Sequence, residues 1–320
     1  IDVTQVFSTG GAFAALRADG SVVTWGDSSS GGDSRAVAAS LDGTIEVTQV
    51  FSNGSAVAAL RANGSVVTWG LSDHGGDSSA VAAALDGTID ATQVFSTRNA
   101  FAALRADGSV VTWGDTVIYT EYDEYLARIG SPAAVDGTID VTRVFSTGDA
   151  FAALRVDGSV VTWGNHYEGG DSSAVAAALD GTIDVTQVFS NGSAFAALRA
   201  DGSVVTWGWI GGDSSGVAAA VDGTIDVTQV FSTGVAFAAL RADGSVVTWG
   251  DSSSGGDSSA VAASLDGTID VTQVFSMEYA FAALRADGSV VTWGYSGWGG
   301  DSSAVAAALD GTIDVTQVFS

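Results

Sequence analysis

The sequence predicts an all-β protein, a seven-bladed β-propeller of four-stranded antiparallel blades with a short helix in the third-blade loop. Three observations lead there. A stretch first met at residues 6–26, Val-Phe-Ser-x-x-x-Ala-Phe-Ala-Ala-Leu-Arg-Ala-Asp-Gly-Ser-Val-Val-Thr-Trp-Gly, recurs six more times almost unchanged. Its Trp-Gly markers (Trp25, Trp69, Trp113, Trp163, Trp207, Trp249 and Trp293) are spaced by 44, 44, 50, 44, 42 and 44 residues. That period belongs to propeller blades rather than helical solenoids. Within each copy, β-branched and aromatic runs are punctuated by turn dipeptides, which gives several short strands per copy.

In the first copy, residues 3–8 (Val-Thr-Gln-Val-Phe-Ser) form the first strand, the break at Thr9 to Gly11 a tight turn, and residues 12–17 the second strand. Asp19-Gly20 suits the left-handed angles of a hairpin turn and leads into a third strand over residues 21–25. A Gly-rich loop follows. The stretch Ser34-Arg35-Ala36-Val37-Ala38-Ala39 is expected as a weaker outer strand, with an Ala-Leu helix over residues 36–41 as the rival. The segment is too short and too close to Asp42-Gly43 for a good helix. Small alanines fit between blades that bury both faces opposite Phe13 and Trp25.

Repetition at one period across 320 residues points to one domain rather than two cores. The expected units are 1–44, 45–88, 89–138, 139–182, 183–224, 225–268 and 269–312, with a closing strand at 313–320. Residues 1–8 and 313–320 are both Ile-Asp-Val-Thr-Gln-Val-Phe-Ser, so one is expected to close the ring and the other to be displaced, to pair at an edge or to bridge to a neighbour.

With 37 acidic and 11 basic residues, all of the latter Arg, the net charge is −26. Such a surface repels nucleic acid and anionic membranes, and keeps a strand-rich chain in solution. No Cys is present and no apolar run has the length of a membrane span, so no membrane insertion is expected and the redox compartment stays open. The absence of an initiator Met, a signal peptide and a basic targeting segment suggests an excised or mature portion of something larger.

The matching residues are Ala14-Ala15-Leu16, Asp19-Gly20, Val22 and Trp25-Gly26, with Gly31-Gly32 after them. In them the repeat resembles the regulator-of-chromosome-condensation family, whose blades carry Gly-x-x-His-x-Leu-Ala-Leu-x-x-Asp-Gly-x-Val-x-x-Trp-Gly, and the resemblance covers all seven copies. The short period is most similar to the bacterial branch that includes the propeller-type β-lactamase inhibitor protein. The resemblance implies a propeller that binds a protein partner, bacterial and either secreted or on the cell surface. Phe13 or Val57 stands where the family has His. Together with the acidity, that departure sets the chain apart from the chromatin and nucleotide-exchange roles of eukaryotic members.

Variation between copies is not spread evenly and sits chiefly in two places. One is the break between the first two strands: residues 9–11, 53–55, 97–99, 147–149, 191–193, 233–235 and 277–279. The other follows Trp-Gly: residues 27–30, 71–74, 115–132, 165–168, 209–210, 251–254 and 295–298. Antiparallel strands reverse at each turn, so both sites are expected at one end of every sheet, opposite the uniform Asp-Gly turns. All six Tyr, both His, the single Met and the two Trp that are not blade markers fall in these loops. Tyr and Trp give stiff contact area at low entropy cost, as binding surfaces require.

The candidate partner-binding residues are therefore Asp73, His74, Arg98, Tyr119, Tyr122, Tyr125, Leu126, Arg128, His166, Tyr167, Glu168, Trp209, Ile210, Met277, Glu278, Tyr279, Tyr295 and Trp298. In the third loop, Thr120 can cap a helix over residues 121–129, Gly130 can end it, and Tyr122, Tyr125, Leu126 and Ile129 share its face. Loops of copies two to five and seven are specialised, whereas copies one and six both carry Asp-Ser-Ser-Ser.

Enzymatic chemistry finds less support. His74 and His166 lie two copies apart, no Cys exists, and no metal or phosphate-loop signature occurs. The repeated Arg17, Arg61, Arg105, Arg155, Arg199, Arg241 and Arg285 read as structural ion pairs with nearby Asp rather than as an anion site. Gly31-Gly32-Asp33 resembles part of a calcium nonapeptide, but its spacing cannot stack ligands as those repeats do. The expectation is a non-enzymatic module for a protein partner, monomeric, without cofactor or metal. The alternatives are a glycan-binding or glycan-cleaving propeller using Glu121, Asp123, Glu124, Glu168 or Glu278, and an engineered repeat scaffold with grafted loops.

Overall fold

The structure, a computed structural model, describes residues 2–114 and 132–318. Seven three-stranded antiparallel sheets follow one another along the chain, each in the order first, second, third strand. Sheets 1 to 7 span residues 3–26, 47–70, 91–114, 141–164, 185–208, 227–250 and 271–294. The chain divides into two compact units, residues 1–156 with 161–165 and residues 157–160 with 166–320.

Sheet 6 shows how the repeat folds. Its first strand, Val227–Ser232, pairs with Ala236–Arg241, and that with Val246–Gly250. The register slips by one residue between Val227 and Gln229, leaving Thr228 outside the ladder. Thr228 Oγ1 donates instead to Leu240 O at 3.1 Å, so the bulge keeps a bonding partner for that carbonyl. At the hairpin that follows, Asp243 Oδ1 accepts from the backbone N and Oγ of Ser245 at 3.1 and 2.6 Å. Gly244 has φ +75°, the left-handed region that the turn requires and that glycine enters without a Cβ penalty.

Alternate residues of each sheet face opposite ways, and consecutive sheets within a unit pack face on face. Sheet 5 contributes Ala194, Ala196, Leu198 and Val204, with Val221 after it; sheet 6 answers with Val227, Val230, Phe237, Ala239 and Trp249. The same packing joins sheets 1 and 2, 2 and 3, 3 and 4, and 6 and 7. Alanine on one side leaves room for the Phe-Trp stack on the other. The Phe237 and Trp249 rings lie 5.4 Å apart at 22°.

Two expectations are corrected. The fourth strand is absent: Arg35–Ser40, Ser79–Ala84, Ser173–Ala178, Ser215–Ala220, Ser259–Ser264 and Ser303–Ala308 are six-residue 3₁₀ helices. The preceding aspartate explains why. Asp77 Oδ1 accepts from Ser79 N at 2.9 Å, and Asp257 does the same for Ser259, which starts a turn where a ladder would need extended backbone. Only the next residue joins the sheet edge, as when Val246 N donates to Leu265 O at 2.9 Å. The rival Ala-Leu helix over residues 36–41 is replaced by the short 3₁₀ helix Arg35–Ser40.

The second correction concerns closure. None of the seven sheets closes on itself. The first copy of the duplicated terminal segment is the first strand of sheet 1, Val3–Ser8, while residues 313–318 form no strand. The expected helix of the third loop lies outside the described residues.

The repeated arginines pack as the sequence suggests. Arg105, Arg199, Arg241 and Arg285 lie 3.5, 3.8, 3.9 and 3.9 Å from Asp107, Asp201, Asp243 and Asp287. Arg61, whose copy has Asn63 in place of Asp, donates through Nε to Ser65 Oγ at 2.8 Å.

Candidate functional site

Both diversified segments of a copy meet at one end of its sheet. The break between the first two strands is closed by its own side chain: Asn191 Oδ1 accepts from Ser193 N and Ala194 N at 2.8 and 2.7 Å. Its Nδ2 reaches the second variable loop, donating to Ile210 O at 3.0 Å. Asn53 holds His74 O in the same way at 2.7 Å, while Thr9 and Thr233 use their hydroxyls on Ser30 O and Ser254 O. Backbone bonds add to this, from Leu71 N to Ser55 O, Trp209 N to Ser193 O and Tyr295 N to Tyr279 O. In copies one, two and four to seven the two loops are thus one hydrogen-bonded platform; the second loop of the third copy lies outside the described residues.

Neighbouring platforms are tied into a row within each unit. Gly10 N donates to Gly54 O and Arg98 N to Gly148 O in the first; Gly192 N donates to Gly234 O and Gly234 N to Glu278 O in the second, all at 2.7 to 2.9 Å. The Asp-Gly turns lie at the other end of the sheets, where the strand entering each copy is held to the preceding turn, as Val271 N is to Gly244 O at 2.9 Å.

The platforms differ in what they display. In the first unit Leu71 and Asp73 are exposed, His74 is half-buried, and the Arg98 guanidinium lies 3.3 Å from Asp149 of the next copy's turn. In the second unit, His166 and Tyr167 meet edge to face at 5.1 Å and both are exposed, with Glu168 half-buried. His166 Nδ1 lies 3.1 Å from Asp171 Oδ2. Bonds from Ser173, with the nearby His166, hold the Asp171 carboxyl below its ordinary pKa. Trp209 is 64% exposed, beside half-buried Ile210.

Sheet 7 carries the densest group. Tyr279 and Trp298 contact edge to face at 5.5 Å, and Met277, Glu278, Tyr295 and Trp298 are exposed. A hydrogen bond from Tyr279 to the Glu278 carboxylate pushes the phenol pKa up. Tyr119, Tyr122, Tyr125, Leu126 and Arg128 lie outside the described residues.

Two features escaped the sequence. Asp149, the partner of Arg98, is the one aspartate among the turns between first and second strands, and that was the available signal. Val156 is strongly exposed at the otherwise uniform end, where every other copy has Ala; that single departure was the available signal. No group of three or more His, Cys, Asp or Glu side chains that could hold a metal occurs among the described residues. No described helix is long and apolar enough to cross a membrane.

No family model matches the chain. No curated protein matches it either. Among solved structures it is similar to human WBSCR16, with 16% identity, a TM-score of 0.48, and coverage of 89% of this chain and 81% of that one. It is also similar to Prp20p of Saccharomyces cerevisiae, whose structure was described with its binding to Gsp1p and histones: 18% identity, a TM-score of 0.45, covering 78% and 72%. The CRINKLY WD40 ectodomain of the Arabidopsis thaliana receptor kinase ACR4 aligns at 16% identity with a TM-score of 0.42, over 91% of this chain and 95% of that one.

Proposed function

We propose that the chain is a non-enzymatic binding module whose hydrogen-bonded loop platforms hold a protein partner. One observation carries the reading. The aromatic residues that distinguish the copies, among them Tyr167, Trp209, Tyr295 and Trp298, are exposed on platforms whose two loops are joined by backbone bonds: Asn165 N to Asp149 O, Trp209 N to Ser193 O and Tyr295 N to Tyr279 O. Exposed Trp and Tyr on a pre-ordered backbone lose little entropy on binding, which is how contact area becomes affinity. A partner with a basic contact surface fits a chain of net charge −26, and its association would slow as salt is added.

The test compares retained proteins between the native chain and two variants that keep its circular-dichroism melt. One replaces Tyr167, Trp209, Tyr295 and Trp298 by Ala. The other replaces Val156 by Ala at the uniform end. A protein held by the native chain and by Val156→Ala, but released by the fourfold loop variant, supports the reading. Equal retention by the native chain and the loop variant sinks it. A glycan array run on the same three proteins separates the carbohydrate alternative.

A further inference from the structure

Sheet 1 presents to solvent the face that sheets 2, 3, 6 and 7 bury. Val3, Val6, Phe13, Val23 and Trp25 are all exposed, although the same positions in sheet 6 are Val227, Val230, Phe237, Val247 and Trp249, packed under sheet 5. Sheet 7 has the converse gap. Ala282, Leu284, Val290 and Leu309 are half-buried, whereas their counterparts Ala238, Leu240, Val246 and Leu265 in sheet 6 are buried under sheet 7. The two open faces are the two halves of one interface that recurs between consecutive sheets within each unit.

The segment after sheet 7 decides how they would meet. Val315 N donates to Gly288 O at 3.0 Å, as Val47 N does to Gly20 O and Val271 N to Gly244 O when each begins a first strand. Residues 315–318 are therefore anchored as the start of a first strand is, and they pair with no second strand among the described residues. Their sequence, Val-Thr-Gln-Val, is that of residues 3–6, which pair with Ala12–Arg17 in sheet 1.

We propose that copies of this chain join head to tail by strand exchange. Residues 315–318 of one copy take the place of residues 3–6 on the Ala12–Arg17 strand of the next, and the open face of sheet 7 comes down on Phe13 and Trp25. The exchanged ladder is identical in sequence, so the backbone bonds lost and gained are equal. What drives the join is burial of two apolar faces. The indole of Trp25, which makes no such bond among the described residues, would donate to Gly299 O of the second copy. Trp249 and Trp293 donate in that way to Gly211 O and Gly255 O, each at 3.1 Å. Since each copy carries a charge of −26, added salt should strengthen the association, the reverse of a join made by ion pairs.

Sedimentation equilibrium over a broad concentration range tests this with four proteins: the 320-residue chain, a chain ending at Thr312, a chain beginning at Thr9, and Phe13→Asp in the 320-residue chain. The 320-residue chain should associate, more so in high salt. Ending at Thr312 should abolish association. Beginning at Thr9 removes the competing strand and should tighten it by about tenfold or more. Phe13→Asp, at an exposed site that leaves the fold intact, should abolish it and serves if either truncation unfolds. Three results would overturn the proposal: a 320-residue chain that stays monomeric throughout, association that survives both the Thr312 truncation and Phe13→Asp, or a chain from Thr9 that no longer associates while still folded.

Discussion

Sheets 1 and 6 share their second and third strands residue for residue, Ala-Phe-Ala-Ala-Leu-Arg and Val-Val-Thr-Trp-Gly, and yet hold them in different surroundings. Phe13 and Trp25 are 46% and 47% exposed; Phe237 and Trp249 are at 0% and 4%. Even the stack is unchanged, with ring centroids 5.3 Å apart in sheet 1 and 5.4 Å in sheet 6. What differs is the sheet in front. Local sequence makes the hairpins and the stack, and the neighbour makes the core, as expected of repeats that cannot bury their apolar faces alone.

The largest expected effect breaks this comparison directly. Phe237→Ala should cost about 3–5 kcal/mol, since a fully buried ring leaves a cavity between two sheets. Phe13→Ala should cost about 1 kcal/mol or less, because an exposed ring gives up little transfer free energy. Urea denaturation of the two variants measures the difference. Equal losses would mean that the face of sheet 1 is covered in solution.

A second pair concerns the Gly-Gly loop that reaches over the next sheet. Gly255 and Gly299 share a left-handed backbone, φ +101° and +91°. A Cβ on Gly255 would lie 2.5 Å from the Phe281 ring, whereas on Gly299 it would meet only Met277 Sδ at 3.9 Å. Gly299→Ala should then cost only the backbone strain, about 1–2 kcal/mol. Gly255→Ala adds a clash in a packed core, for about 1–3 kcal/mol more. Melting curves of the two variants compare them.

These pairs show how much of the molecule could be read in advance. The strands, the Asp-Gly turns and the placing of both variable loops at one end follow from local alternation and turn chemistry, and His74, Trp209 and Tyr295 stand where that reading puts them. The outer strand failed because Asp77 and Asp257 cap a turn, and a side-chain bond outweighed the weak strand preference of Ser-Ala-Val-Ala. The exposure of Trp25 was illegible for another reason. Its copy differs from that of Trp249 only at Gly11 and Arg35, both outside the strands; the difference in burial lies in the neighbour.

A smaller effect isolates the indole bond. Trp249→Phe removes the donor to Gly211 O and leaves a buried carbonyl without that partner, which should cost about 1–3 kcal/mol beyond the lost ring area. Trp25→Phe forfeits no such bond, so only the area term remains. The gap between the two, measured by chemical denaturation, should be about 1 kcal/mol or more.

The smallest effect distinguishes the first copy by charge. Arg35 stands where copies two and four to seven have Ser, and its guanidinium lies 2.5 Å from Asp33 Oδ2. Hydrogen bonds from the Arg35 side chain and backbone hold the Asp33 carboxyl at about 2, below its ordinary 3.8. At Asp77 and Asp257 only the Ser bonds act, and the shift is in the same direction. A depressed folded-state pKa stabilises above the unfolded value, and that contribution is lost as pH falls from 3.8 towards about 2. Arg35→Ser should therefore raise the Asp33 pKa in a carboxyl-carbon NMR titration and leave Asp77 and Asp257 unmoved. Because the pair is open to water, the melt at neutral pH should hardly change. A titration in which Asp33 does not move would show that the Ser-type backbone bond alone sets its acidity, and the first copy would then differ from the others only in what lies against its open face.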